Sequence, residues 1–350
     1  MSRPTLADVA ARAGVSLKTA SRALNGEYGV ATGTSERVHE AARSLGFRPN
    51  HLARSLASSR TSSAVGLVIS DVSDPFIAAA AGAVEAVLGP RDLQLVSASH
   101  GDDAERQRRL VRALVERRMD ALVLIPAPGD ASYLKREIDH GLVVVSLDRP
   151  LEGVDVDTVT IDNEAGARAA TSEFLAAGHR RIAALGNDAR LWTMQQRHSG
   201  YVRALAEAGV AEDPDLVALD CHGIAAAQEA VSAMLRLADP PTAILAGQNV
   251  AGRGAIRAML ATGRVVELAV FDEVSDPDLL VIKPRMVVES DPVRLGTVAA
   301  QMTVERLDGR ADPVRRVVLP PLFWRPDGYV AAPEPVVAGA PETTADGAPA

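Results

Sequence analysis

From Ala64 onward, apolar runs rich in β-branched residues alternate with amphipathic helical patterns, and this rhythm constrains the fold more than any other feature. The runs AVGLVIS, LQLVSA, ALVLI and LVVVSLD come first, followed by TVTI, RIAAL, TAILAG, ELAVF and MVVES. Helix-like stretches such as ERQRRLVRALVERR separate them. A strand that is apolar along its whole length is covered on both faces, which is the environment of a parallel sheet flanked by helices. So many strands exceed one comfortable open sheet, so two similar α/β lobes are expected. With 350 residues the chain is long enough for several cores, and with only 3% aromatics those cores must be built from Ala, Val, Leu and Ile.

The first sixty residues have a different character. They carry nine Lys and Arg against four Asp and Glu, a balance of +5, while the remainder carries −13. A basic head on an acidic body is the pattern expected when only the head touches a polyanion. The single cysteine, Cys221, cannot form an internal disulfide, which suits a reducing cytoplasm and argues against a thiolate metal site. The N-terminus has no continuous apolar segment of the signal-peptide kind. No apolar run approaches the ~20 residues needed to cross a bilayer, so no membrane partner is expected.

The head reads as short helices and tight turns. Thr5, with Asp8 three residues later, makes a capping-box start for LADVAARA, whose Leu6, Val9, Ala10 and Ala13 share one face. Gly14 ends this helix and Ser16 caps a second, Leu17 to Leu24, which stops at Asn25-Gly26. A third helix, roughly Thr34 to Leu45, ends at Gly46, with Thr32 and Thr34 both available as its cap. Helix, tight turn and second helix make a helix-turn-helix, in which the N-terminal residues of the second helix meet base edges. Those residues are Leu17 and Lys18, with Arg22 one turn on and on the same face as Lys18. Lys and Arg can donate to guanine O6 and N7, and Leu17 can pack on a thymine methyl. Thr19, Ser21 and Asn25 are small donors suited to phosphates. Helix spacing alone leaves a second reading open, a three-helix packing module with solvated charges.

The stretch TLADVAARAGVSLKTASRALNG closely resembles the N-terminus of the LacI/GalR family of bacterial transcriptional regulators, and ERVHEAARSLGFRPNHLARSL continues the resemblance. It implies further DNA contacts at Thr5 and Ser16. It also implies that RPNHLARSLA is a hinge helix lying in the minor groove, with Asn50, Ala53, Arg54 and Leu56 at the DNA. Leu56 would be the apolar wedge between central base pairs. The alternative for this segment is a linker whose Leu52 and Leu56 pack on the body. The sequence departs from the family at Ala20 and Ala23, where Val is more usual, at Ala31, where Ser usually caps the third helix, and at Ser35, where a basic residue is common. The looked-for fold is thus a helix-turn-helix headpiece (1–48) and a hinge and linker (49–62). A two-lobed periplasmic-binding-protein-like α/β core (63–330) and a disordered tail (331–350) follow.

In such a body the ligand lies between the lobes, at the carboxyl ends of parallel strands. The resemblance places Asp74 and Phe76 on the first-lobe wall and Asp148 at a strand end. From the second lobe come Arg197 and Asp272, with Trp192 as a surface for a sugar face to stack on. Gln248-Asn249 stand where the family often has Asn-Asp, so the polar network at that edge should differ. Carboxylates, an arginine and an aromatic wall suit a sugar or related polyol. The seven histidines do not cluster at ligand spacing, and no phosphate loop, H-E-x-x-H or nucleophile elbow is present. The glycines near Gly252 lack the context of a dinucleotide fingerprint. The expected protein is therefore a cytoplasmic, homodimeric repressor of operator DNA with a sugar-like effector, no cofactor and no enzymatic activity. The alternatives are a periplasmic-type transport component and a regulator whose ligand is a co-repressor.

Overall fold

The computed structural model describes residues 4–24, 28–47, 63–272, 282–325 and 328–330. The chain separates into two compact units, residues 1–62 and 63–350. Among the described residues no helix is long and apolar enough to cross a membrane.

Among the described residues the first unit holds three helices, α1 (Leu6–Ala13), α2 (Leu17–Leu24) and α3 (Thr32–Leu45). At the start of α1, the Asp8 amide donates to Thr5 Oγ1 at 3.3 Å and the Thr5 amide donates to Asp8 Oδ2 at 2.8 Å. The Thr5 amide and the Thr5 hydroxyl, both donating to Asp8 Oδ2, hold the exposed Asp8 carboxyl below its ordinary value. Gly14 ends the helix in the left-handed region, with φ 65°. Helix α3 begins two residues before the expected Thr34, and its N-cap, Ala31, makes no side-chain bond. Without a serine there, no side chain marks the first turn, and the start is set by packing. Val9, Ala20, Ala23 and Val38 are almost wholly buried at the centre of the three helices. Small residues at 20 and 23 let α2 lie close to its neighbours, so the departure from Val leaves a closed core.

The second unit contains two sheets. The first has six strands in the order β11-β5-β4-β3-β1-β2, all parallel. They are β1 (Ala64–Ile69), β2 (Gln94–Ser99), β3 (Ala121–Leu124), β4 (Val143–Leu147), β5 (Asp157–Ile161) and β11 (Arg316–Leu319). The second has seven in the order β13-β12-β10-β9-β8-β6-β7. These are β6 (Ile182–Leu185), β7 (Val217–Ala218), β8 (Ala243–Ala246), β9 (Glu267–Phe271), β10 (Met286–Glu289), β12 (Leu322–Arg325) and β13 (Gly328–Val330). All nine runs marked in the sequence are strands. The strands that escaped notice are β7 and the three closing ones. β7 is two residues long, and Arg316–Leu319 is a half-exposed edge whose alternation is too short to register.

Helices α4 (Pro75–Leu88), α5 (Ala104–Glu116), α6 (Lys135–Asp139) and α11 (Pro292–Leu307) belong with the first sheet. Helices α7 (Asn163–Ala176), α8 (Trp192–Glu207), α9 (Ile224–Met234) and α10 (Asn249–Thr262) belong with the second. The chain passes between lobes three times: at Asp162 after β5, at Ser290-Asp291 after β10, and at Pro320-Pro321 after β11. One buried carboxylate fastens the far end of the first lobe. Burial opposes ionisation of Asp157, but Arg306 at 2.8 Å and Arg315 at 2.9 Å outweigh it and hold the carboxyl below its ordinary value.

Close helix pairs replace the missing aromatics. A Cβ at Gly200 on α8 would stand 2.2 Å from the Glu164 carbonyl oxygen of α7. A Cβ at Gly254 on α10 would stand 2.5 Å from Ala227 Cβ of α9, so the second glycine of GRGAIRA serves helix packing. Because a backbone oxygen cannot step aside, Gly200→Ala should cost the core about 1–3 kcal/mol of unfolding free energy. Urea unfolding of the full chain checks this by a lowered midpoint for the second unit.

Candidate effector cleft and DNA-reading helix

The cleft between the lobes encloses about 440 Å³ and is walled by segments that follow strands. From the first lobe come Ser70 to Ile77 after β1, Gly101-Asp102 after β2 and Asp148-Arg149 after β4. From the second come Asn187 after β6, His222-Gly223 after β7, Gln248 to Arg253 after β8 and Asp272 after β9, with Leu191, Thr193, Met194 and Arg197 from α8. Parallel strands deliver every one of these segments to the same end of their sheet.

Arg197 is the polar centre. Its side chain is buried, Nε donates to Asn163 Oδ1 at 2.7 Å, Nη1 donates to the Gly247 carbonyl at 2.6 Å, and its guanidinium lies 4.0 Å from the Phe271 ring centroid. Burial lowers its pKa, opposed by Asp272 and Asp148. Burial likewise pushes both carboxyls up, opposed by Arg149 and Arg197 at Asp148 and by Arg197 and Ser290 at Asp272. Asp148 and Asp272 occupy equivalent strand ends, and both hold left-handed backbone, with φ 69° and 60°. Such strain in a non-glycine residue is sustained where the surroundings fix it.

Two wall residues are tied to the passages between lobes. Asn163, the acceptor for Arg197, is the first residue of α7 after the Asp162 crossing. Asp272 Oδ1 accepts from the Ser290 amide at 3.0 Å, at the second crossing. One polar contact spans the cleft, from Asn249 Nδ2 to Asp74 Oδ1 at 3.5 Å. Asp74 also caps α4 by accepting from the Phe76 amide at 3.0 Å, and burial raises its pKa. Arg149 Nη1 reaches Asp102 Oδ1 at 2.8 Å and the Pro126 carbonyl at 3.0 Å. Buried Asn187 Oδ1, Gln248 Oε1 and Asn249 Oδ1 have no hydrogen-bond partner among the described residues.

Asp74, Phe76, Asp148, Arg197, Gln248, Asn249 and Asp272 are all in the wall, whereas Trp192 is not. Trp192 lines a neighbouring crevice with Pro126, Pro128, Pro150 and Glu152 of the first lobe. It precedes Arg197 by five residues, which turns it about 140° away around α8. The aromatic partner of Arg197 is instead Phe271. Sequence reasoning passed over Asp102, Arg149, Asn187 and His222, each just beyond a strand. A survey of polar residues just beyond the marked strands would have found Asp102, Arg149 and Asn187, whereas His222 follows β7, which no apolar run marks.

In the head, Leu17 is 54% exposed and Lys18 is exposed on α2. Ser16 accepts from the Thr19 amide at 3.1 Å, and the two hydroxyls lie 2.8 Å apart. Thr5 Oγ1 donates to Asp8 Oδ2 at 2.7 Å. Ser21 and Arg22 are partly exposed, and Arg22 Nη2 donates to the Tyr28 carbonyl at 2.6 Å. Asn25, Asn50, Ala53, Arg54 and Leu56 lie outside the described residues, as does the expected tail.

Two family models match the chain. The one described as "Bacterial regulatory proteins, lacI family" covers residues 5–50, and "Periplasmic binding proteins and sugar binding domain of LacI family" covers residues 62–293. The HTH-type transcriptional regulator CelR of Thermobifida fusca is 33% identical over 93% of this chain and 98% of its own. A solved CelR–cellobiose complex is 29% identical, with a TM-score of 0.68 over 92% of this chain and 98% of that one. The lac repressor dimer bound to operator and the anti-inducer ONPF shares the fold, with a TM-score of 0.77 at 22% identity over 92% and 98%.

Replacing the central cation should expose the electrostatics of the cleft. In Arg197→Met, Asp148 and Asp272 lose their shared counter-charge and their carboxyl pKa values rise further. A carboxyl raised in the folded state stabilises below its unfolded value and loses that stability as pH rises through the folded one. The variant should therefore be about 3 kcal/mol less stable at pH 7, with a smaller deficit at pH 5. Urea denaturation at both pH values reads the difference.

Proposed function

The chain belongs to the LacI family of bacterial regulatory proteins, and on that premise we propose that it is a repressor whose operator affinity is set by a neutral, hydroxyl-rich effector in the interlobe cleft. The observation that carries this reading is the pairing, in one chain, of an exposed Leu17-Lys18 face on α2 with a polar cleft centred on Arg197. Five aspartates against three arginines in the wall disfavour an anionic ligand. The three unpartnered amide oxygens and the aspartates call for hydrogen-bond donors, which hydroxyls supply. The relative crystallised with cellobiose agrees with a saccharide class.

In the head, Leu17, Lys18 and Arg22 read base edges, while Thr5, Ser16, Thr19, Ser21 and Asn25 hold phosphates. Asn50, Ala53, Arg54 and Leu56 act in the minor groove. The headpiece extends over 1–48, the hinge over 49–62, the core over 63–330 and the tail over 331–350. The separation of compact units at residue 62 supports the head–core part of this division. The protein works in the cytoplasm as a homodimer on a two-fold operator and performs no catalysis.

A ligand bonded to Arg197 and Asp272 bears on Asn163 and Ser290, which begin or form two of the three interlobe passages. Ligand and lobe arrangement are then linked, provided the ligand prefers one arrangement. Loss of DNA on ligand addition marks an inducer, and tightening marks a co-repressor.

Fluorescence anisotropy tests this with the full chain and duplexes selected from a random library. Added polyols of the effective class should shift operator affinity about 5–150-fold. Protein that shows no sequence preference at any salt concentration contradicts the reading. Because ligand hydroxyls favour ionised carboxylates, effector affinity should also fall as pH is lowered through the raised carboxyl values of Asp74, Asp148 and Asp272. Isothermal titration calorimetry at several pH values checks that slope, and a flat profile contradicts it.

A further inference from the structure

Tyr28 follows the recognition helix in the chain, and its side chain is 100% exposed, the most exposed large hydrophobic side chain described. An aromatic ring standing wholly in water forgoes the burial that usually stabilises it. The backbone beneath this ring is nevertheless anchored. Its carbonyl accepts from Arg22 Nη2 at 2.6 Å, and two residues later Val30 packs against the buried centre of the three helices. Gly29 between them has φ 92°, and a Cβ there would lie 3.1 Å from Arg22 Nη2. The glycine thus lets the guanidinium reach the carbonyl, and the tie holds the Tyr28 backbone beside the face of α2 that carries Lys18 and Arg22.

We propose that Tyr28 is a DNA-backbone contact, its hydroxyl donating to a phosphate oxygen and its ring lying on the adjoining sugar. Arg22 is its positioning residue through the Tyr28 carbonyl. This rests on the reading of α2 as the DNA-recognition helix. Tyrosine is among the side chains that bond phosphates, and such contacts fix register without reading sequence. The Arg22 bond to the Tyr28 carbonyl fixes the backbone from which the ring projects.

The test uses the full chain, with anisotropy on a selected operator and on a random duplex of equal length, over a range of salt. Tyr28→Phe should weaken binding about fivefold on both duplexes, the size of one lost hydrogen bond. The salt slope should not change, because no charge is removed. Tyr28→Ala should weaken binding further, about tenfold or more, with the melting temperature unmoved because the ring is fully exposed. Lys18→Ala serves as the comparison: as a base reader it should weaken binding to the selected operator about tenfold and relax the preference over the random duplex.

If both Tyr28 variants bind like the parent while Lys18→Ala weakens binding, the inference is overturned and the recognition-helix reading stands. A loss confined to the selected operator makes Tyr28 a base reader and overturns the phosphate assignment. If Lys18→Ala is also silent, the recognition-helix reading falls and takes this inference with it.

Discussion

The buried guanidinium of Arg197 is the interaction on which the body depends. A charge removed from water is tolerated only where hydrogen bonds and counter-charges replace its hydration. Asn163, Gly247, the Phe271 face and the carboxylates of Asp148 and Asp272 provide that replacement. These groups come from separate stretches of chain, which meet only because parallel strands end at one place. The polar cluster and the topology therefore specify each other. The same cluster leaves its carboxyls incompletely compensated, with pKa values pushed up by burial. A site held in this condition responds to any ligand that supplies the missing hydrogen bonds.

The division of charge follows a complementary logic. The first sixty residues are basic and the rest is acidic, so attraction to a polyanion is concentrated at one end of the chain. Within the basic part, the small residues Ala20 and Ala23 are buried and leave Leu17 and Lys18 on the outside of α2. The helix presents its chemistry outward because its inner face offers almost nothing but methyl groups for packing.

Much of this was legible in the sequence because period and chemistry agreed. The nine apolar runs became strands, the capping signals at Thr5 and Ser16 became caps, and Gly14 and Gly46 became left-handed helix ends. Legibility failed where a residue's fate is decided by angle or by partners distant in sequence. Trp192 was expected to offer a stacking surface in the cleft, but the turn of α8 carries it to another crevice. Strands β11 and β12 hold their places through pairing with β5 and β10, a relation no local pattern records. The start of α3 slid to Thr32 because Ala31 offers no side-chain signal. Asp102 and Asn187 went unnoticed because a polar residue beyond a strand looks like any loop until the sheet is assembled.

The proposed control is thermodynamic: the cleft and the head of one chain are linked. Linkage is reciprocal, so an effector that changes operator affinity by some factor must have its own affinity changed by the same factor when operator is bound. The most direct measurement is calorimetric titration of one effective polyol into the free protein and into the operator complex. The two dissociation constants should differ by the factor that the effector imposes on DNA binding. Equal affinity for the polyol on and off the operator would contradict that linkage.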